Sequence, residues 1–422
     1  MSAPKTGIKV IVVGAGFGGL CAAIECQRQG HDVEIYENFP QLKVLGDIIS
    51  FGANAGRIFY RWGDGEVVRR LKPLTIDLKG YGFRIHKYDT GELHKVIFDY
   101  ARDDLGIPIH LDNPVTEYFE DENHAGVVLK NGKRVTGDVV IGADGVRSKA
   151  RELVLGYFDK PKSSGYAVWR AWFPASEMAK DPRTKEFCEH GDTFNGWIGQ
   201  DVHFLFSTIK GGKNCSWVLT HKDDHDIDES WSFPGKIEDV KAVLKDWDPL
   251  CTAIIEKTPP SALVDWKLVY RDPLPKWISK HGRIALLGDS AHPFLPTSAQ
   301  GATQSMEDGV TMAVCLKRAG KGNVPAAVKT YQDLRYERVG KVQKTGETTR
   351  DLWHKTDWEK FDAEKHAEDN FADVFKAHVD APADAEAAAP LGMSANPPPS
   401  PPKRKQDNSV QRKKKTPLPL ID

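Results

Sequence analysis

The sequence predicts an α/β fold. A discontinuous Rossmann-like domain is interrupted by a β-sheet domain and followed by a helical region. Three observations predict it. The apolar run Lys9–Val13 leads into glycines at the spacing of a dinucleotide fingerprint. Two later apolar runs, ending at Gly142 and Gly288, each place an aspartate just past the strand, at Asp144 and Asp289. Between these segments lie stretches with the alternation and turn residues of antiparallel strands.

The first element is Val10–Val13, continuously apolar and β-branched, as in a strand buried on both faces of a parallel sheet. Gly14 permits a tight turn, Gly16 allows close backbone approach to a pyrophosphate, and Gly19 lets the next helix pack on the strand. Phe17 lies within this turn, and the helix runs on through Leu20, Ala23 and Ile24. Its positive N-terminal end faces the phosphates. A second strand, Val33–Tyr36, ends at Glu37, 18 residues beyond Gly19. A carboxylate there accepts hydrogen bonds from a ribose 2′-hydroxyl and repels a 2′-phosphate. The segment therefore predicts an ADP-bearing cofactor without a 2′-phosphate.

Val127–Val135 reads as a hairpin around Asn131-Gly132. Val140-Ile141-Gly142-Ala143-Asp144-Gly145-Val146-Arg147-Ser148 is the second strand–glycine–aspartate segment. Phe194–Ile209 and Ser216–Thr220, flanking Gly211-Gly212, read as another hairpin. Arg283–Leu287 is a third buried strand, and Gly288-Asp289 sets a carboxylate at its C-terminal end, where open α/β sheets bind ligands. A helix is predicted from near Gln300-Gly301. A polar helical stretch follows over 326–378, with Trp353, Trp358, Phe361, Phe371 and Phe375 available to pack on the body. From about residue 380 the chain is rich in Ala and Pro and then basic at Lys403–Lys405 and Arg412–Lys415. That composition predicts disorder, with a nuclear-import or polyanion-binding patch as one use.

At 422 residues and net charge −1, nothing global steers the chain toward nucleic acid or an anionic membrane. No apolar run reaches membrane-spanning length, and no secretory layout opens the chain. The six cysteines form no CxxC pair, which argues against a metal or dithiol site and suits a reducing cytoplasm.

In this order, the three segments resemble the class A flavoprotein monooxygenases, the family of salicylate hydroxylase-like aromatic hydroxylases. The resemblance continues through Pro293, Pro296, Gln300-Gly301-Ala302 and Glu307-Asp308-Gly309 and covers roughly residues 8–345. It implies a GR2-type, aromatic hydroxylase fold. The FAD-binding domain would be 1–72, 134–156 and 265–345, and the substrate-binding sheet 73–133 and 157–264. A helical region 346–379 and the tail 380–422 would follow.

By resemblance, Gly14, Gly16, Phe17, Gly19 and Glu37 hold the ADP part of FAD. Asp144, Gly145 and Arg147 lie near the pyrophosphate. Gly288, Asp289, Pro296, Gln300, Gly301 and Ala302 surround the ribityl chain and ring. NADPH or NADH is the implied transient electron donor. The partners are a small aromatic substrate and O₂. The implied reaction is hydroxylation of a phenolic or other electron-rich aromatic through a flavin C4a-hydroperoxide. Epoxidation or other oxidative tailoring in secondary metabolism on the same fold, or a truncated remnant of little activity, are the alternatives.

Two departures from the family pattern stand out. Where the family carries an arginine before a Leu-His helix, Asp89-Thr90-Gly91-Glu92 runs straight into Leu93-His94, and Thr90 takes the arginine's place. Gly46-Asp47-Ile48-Ile49 stands where Gly-Ala-Gly-Ile is common. On the substrate side, Arg170 could pair with a carboxylate or phenolate, or serve as a surface salt bridge. His203 is the candidate substrate base. Trp169, Trp172, Trp197, Phe204, Phe206 and Trp217 are candidates to line the pocket, half of them at most, because a strand alternates its side chains.

Overall fold

A computed structural model describes residues 3–42, 48–76, 86–223 and 233–357. The expected basic tail, the aromatics from Trp358 onward and Gly46-Asp47 lie outside the described residues.

The chain opens as β1 (Lys9–Val13), α1 (Phe17–Arg28) and β2 (Asp32–Tyr36). Helix α2 (Thr90–Asp99) and the short strand β3 (Ile109–His110) follow. Next come β4 (Val115–Glu120), β5 (Ala125–Leu129), β6 (Arg134–Gly137) and β7 (Val139–Gly142), then α3 (Lys149–Leu155). Four long strands are β8 (Lys162–Pro174), β9 (Thr193–Gly199), β10 (Val202–Ile209) and β11 (Asn214–Lys222). The chain continues as β12 (Leu263–Tyr270), β13 (Ile284–Leu286), α4 (Gly301–Ala319) and α5 (Val324–Lys355).

Strands β13, β7, β1, β2 and β3 form a parallel sheet in that order. Val10 pairs with Val139 on one side and Val33 on the other, and Val140 pairs with Ile284. Val10–Val13 are buried because α1 packs on the sheet from one side and the β4–β6 sheet packs on it from the other. This topology sets the C-terminal ends of β1, β7 and β13 side by side, so three segments far apart in sequence meet at one sheet edge. Helix α4 packs on α1 at Gly309, where a Cβ would lie 2.7 Å from Ala22 N.

The second sheet is antiparallel, ordered β9, β10, β11, β8, β12 and Phe233–Pro234. Arg170 pairs with Val218 and Val264, and Leu205 pairs with Val218. Trp169, Phe173, Phe204, Phe206 and Leu219 point to one side and form a second hydrophobic cluster with Cys251, Ile254 and Leu263.

Several boundaries differ from those expected. Part of 73–133 does not join the second sheet. Strand β3 completes the parallel sheet, and Tyr118, Val127 and Leu129 of the β4–β6 sheet bury into that sheet's core. Strand β12 runs past residue 265 as part of the antiparallel sheet, because Trp266 and Leu268 pair across to β8. No break occurs at 345: α5 is one helix through Lys355. The hairpin at Asn131-Gly132 forms as expected, with Gly132 at φ +81. Phe194–Ile209 is itself a two-stranded hairpin, reversed at Asp201 with φ +61, and β10 then turns to β11 through Gly211-Gly212. Among the described residues, no helix is long and apolar enough to cross a membrane.

Candidate functional site

The three strand ends are packed so closely that glycine is obligatory at particular points. Gly14 sits at φ +100, and a Cβ there would lie 2.3 Å from Ala143 O of the second segment. A Cβ on Gly19 would lie 2.0 Å from Gly14 O. Gly16 differs, since a Cβ there meets nothing within 4 Å. Protein packing does not require glycine at that point, and the space beside it opens into a cavity. Gly16 also caps α1 without any side chain, so the helix's first amides remain available to a phosphate.

That cavity has a volume of 1470 Å³. Single-ligand pockets run roughly 300–1,000 Å³, so this one can take more than one molecule. At one end it is lined by Gly16, Phe17, Gly19, Gly145, Gly288, Asp289, Pro296, Gln300, Gly301 and Ala302. The structure therefore brings ten of the fourteen expected cofactor residues to one wall. Gly14, Glu37, Asp144 and Arg147 do not line it. Glu37 accepts hydrogen bonds from Ala15 N at 2.7 Å and Phe39 N at 2.9 Å, which fixes its carboxylate beside the fingerprint turn. Asp144 accepts from Tyr118 Oη (2.9 Å), Lys149 N (2.9 Å) and Ala150 N (3.1 Å), anchoring the start of α3. Arg147 is exposed on the adjoining loop.

Arg151, which sequence reasoning missed, ties the second and third segments together. Its buried guanidinium donates to Val146 O (2.8 Å), Asp289 O (2.7 Å) and Ser290 O (2.8 Å). Burial, with Arg271 nearby, pulls its pKa down to about 10. Ser290 Oγ completes the junction through Gly142 O and Leu287 N. Asp289 is thus held by its backbone while its half-buried carboxyl faces the cavity, and burial raises its pKa.

Helix α4 begins, as expected, at Gly301, and no side chain caps Gln300. Its partial positive end therefore faces the cavity. A buried ionic cluster holds the helix from behind. Arg335 of α5 donates to Asp308 Oδ1 (2.8 Å), Glu307 Oε2 (2.5 Å) and Gln304 Oε1 (2.7 Å). His292 meets Asp308 Oδ2 at 2.6 Å. Burial pushes the Asp308 carboxyl up, but His292 and Arg335 outweigh it and hold the pKa below the ordinary value. His292 is therefore a loop partner of the cluster, and Glu307-Asp308 are structural.

The opposite wall is the antiparallel sheet. Val168, Arg170, Leu205, Val218, Trp266 and Leu268 face the cavity. Arg170 lines the cavity, its guanidinium 5.6 Å over the Trp266 ring. The neighbouring parity corrects several expectations. Trp169, Phe204 and Phe206 belong to the core behind the sheet. Trp217 borders the cavity but is 1% exposed, with its indole N–H donating to Thr258 Oγ1 at 2.9 Å. Trp172 and Trp197 do not line the cavity, and Trp197 donates to Asp248 at 2.9 Å.

His203 borders the cavity, yet both ring nitrogens are engaged, Nδ1 with His354 Nε2 (2.7 Å) and Nε2 with Thr220 Oγ1 (3.0 Å). Burial and His354 lower its pKa to about 3, so it is neutral and already partnered, unlike the base expected of it. Trp353, from the end of α5, also lines the cavity, and the sequence offered only its availability for packing.

The open space at Gly16, the two uncapped helix ends and the inward carboxyl of Asp289 fit a dinucleotide carrying a ring system. His94 of α2 adds a contact, its Nε2 2.6 Å from Ala15 O of the fingerprint turn. The Thr90 departure leaves this helix formed, with Leu93 buried. Among the described residues, no cluster of metal ligands is present.

Comparison with known proteins agrees with this geometry. A family described as an FAD binding domain matches residues 64–345, and an NAD(P)-binding Rossmann-like domain matches residues 12–42. Asperlicin C monooxygenase of Petromyces alliaceus is 36% identical over 379 residues, spanning 84% of this chain and 82% of its own. The crystal structure of CtdE in complex with FAD and its substrate 4 superposes with a TM-score of 0.79 at 32% identity, over 90% of this chain and 98% of that one. A salicylate hydroxylase substrate complex shares the fold, with a TM-score of 0.74 at 23% identity over 90% and 97% of the two chains.

Proposed function

The chain belongs to the FAD-dependent monooxygenases, and from that premise we propose that it uses NAD(P)H and O₂ to hydroxylate a phenolic or other electron-rich aromatic. One observation carries the reading. A single cavity joins the glycine–aspartate wall to a sheet face bearing Arg170 and Trp266.

Bound FAD supplies the redox chemistry and the activation of oxygen. The residues of the chain supply binding, orientation and dryness. The α1 amides beside Gly16 would hold the pyrophosphate, and Glu37 the adenosine ribose. Asp289 would accept hydrogen bonds from the ribityl hydroxyls. The partial positive end of α4, near Gly301 and Ala302, would favour negative charge on a ring held at that end of the cavity. Asp144 and Arg151 keep the second and third segments in register for this contact. Arg170 pairs with the phenolate or carboxylate of the substrate and so fixes the orientation of its ring in the cavity. Val168, Leu205, Val218 and Leu268 exclude water from that face. No second dinucleotide fingerprint accompanies the first, so the nicotinamide donor binds transiently. The six unpaired cysteines fit a reducing, cytoplasmic setting.

The test is product analysis under ¹⁸O₂. NAD(P)H oxidation that rises with an aromatic substrate, and a product heavier by one ¹⁸O atom, support the reading. Oxidation that never couples to oxygenation across a phenol and indole panel contradicts it.

A further inference from the structure

The last turn of α5 is attached to the antiparallel sheet. His354 Nε2 meets His203 Nδ1 at 2.7 Å, and His354 O accepts from Asp201 N at 3.2 Å. The Tyr166 ring packs 4.9 Å from His354, its hydroxyl donates to Asp201 at 3.2 Å, and Arg350 lies 5.5 Å over the same ring. Trp353 is set edge-on to His203, with centroids 4.9 Å apart at 78°, and lines the cavity with Thr220 and Trp266. About 27 Å back along the same helix, Arg335 is locked into the cluster behind α4. One helix is therefore fixed along its length and at its last turn, and it carries an aromatic ring into the cavity on the row next to Arg170, since Val168, Thr220 and His203 pair across the sheet.

We propose that Trp353 is a specificity-determining wall of the substrate end of the cavity, and that His203 and His354 are positioning residues that hold it there. The proposal rests on the aromatic-substrate reading above. A flat indole fixed by its neighbours offers a planar substrate an edge or a face at low cost in rotamer freedom. It also sets how large that substrate can be. His203 and His354 act through Trp353, since the ring nitrogens that join them are bonded to each other and the remaining His203 nitrogen meets Thr220 Oγ1.

The experiment uses FAD-loaded full-length protein and follows the change in flavin absorbance on titration with phenol, indole and carbazole. Trp353→Ala weakens indole binding about tenfold and shifts the preference toward carbazole, while flavin stoichiometry stays at the wild-type value. Trp353→Phe recovers most of the loss. His354→Gln gives the same shift in ranking, smaller in size. Should Trp353→Ala lose its flavin, Trp353→Leu, which keeps the bulk without the ring, is read in its place. A flavin-loaded Trp353→Ala or Trp353→Leu protein with unchanged dissociation constants for all three probes overturns the wall assignment alone. A wild-type holoprotein perturbed by none of the probes overturns the aromatic-substrate reading and this assignment with it.

Discussion

Gly14 and Gly16 are two residues apart and respond differently to a methyl group. At Gly14, positive φ and the Ala143 carbonyl at 2.3 Å both oppose a Cβ. Gly14→Ala should destabilise the fold by about 1–3 kcal/mol or more, read as a lower melting temperature with or without cofactor. At Gly16 the backbone is extended, φ −71, and a Cβ has open space. Gly16→Ala should leave the melting temperature of the flavin-free protein within a few degrees and cut FAD affinity at least tenfold. Equal FAD retention in the two variants would contradict the cradle. The motif glycines were legible because their spacing follows from one strand–turn–helix unit, although the Ala143 carbonyl that crowds Gly14 comes from a distant segment. The parity of the sheet aromatics was not. Alternation says that Trp169 and Arg170 face opposite ways and that Phe204 and Phe206 face the same way, but which side is the cavity depends on what lies behind the sheet, and only the fold supplies that.

Helix α5 shows why some functional elements stay hidden in sequence. Its polar pattern predicts a helix correctly, but nothing local tells that Arg335 is buried among Glu307, Asp308 and Gln304, or that Trp353 reaches the cavity. Arg151 is hidden for the same reason, because its acceptors come from two other segments. Removing one partner of a buried ion cluster leaves charges uncompensated, so Arg335→Met should cost about 3–5 kcal/mol, measured as a lower urea midpoint.

The histidine contact predicts a pH effect. His203 and His354 titrate at about 3 and about 4 in the fold, below the ordinary imidazole value of about 6.5. Between those values the unfolded chain binds more protons than the native one. Their contribution to stability is therefore complete above about pH 6.5 and is lost as pH falls toward 4 and then 3. The melting temperature should fall over that window, and less steeply in a His203→Gln, His354→Gln double variant. Identical slopes in the two proteins would contradict the assignment of neutral buried imidazoles.

For the molecule as a whole, the parallel sheet brings together three segments that the sequence keeps far apart, and the antiparallel sheet closes a cavity over them. The order and spacing of those segments made the cofactor end legible. The domain boundaries shifted because β3 and the β4–β6 sheet bury apolar residues in the parallel sheet's core, a choice made by tertiary packing. The substrate end stayed less legible, since its walls come from β8, β10, β11, β12 and the far end of α5.

The central claim is that this cavity binds FAD and delivers it reducing equivalents beside an aromatic substrate. The most direct test is the visible absorption spectrum of the purified protein, titrated with NAD(P)H and then with phenols and indoles. The account predicts flavin bands that bleach on adding NAD(P)H, and faster when a suitable aromatic is present. Protein that carries no flavin and takes up none on reconstitution with FAD would contradict it.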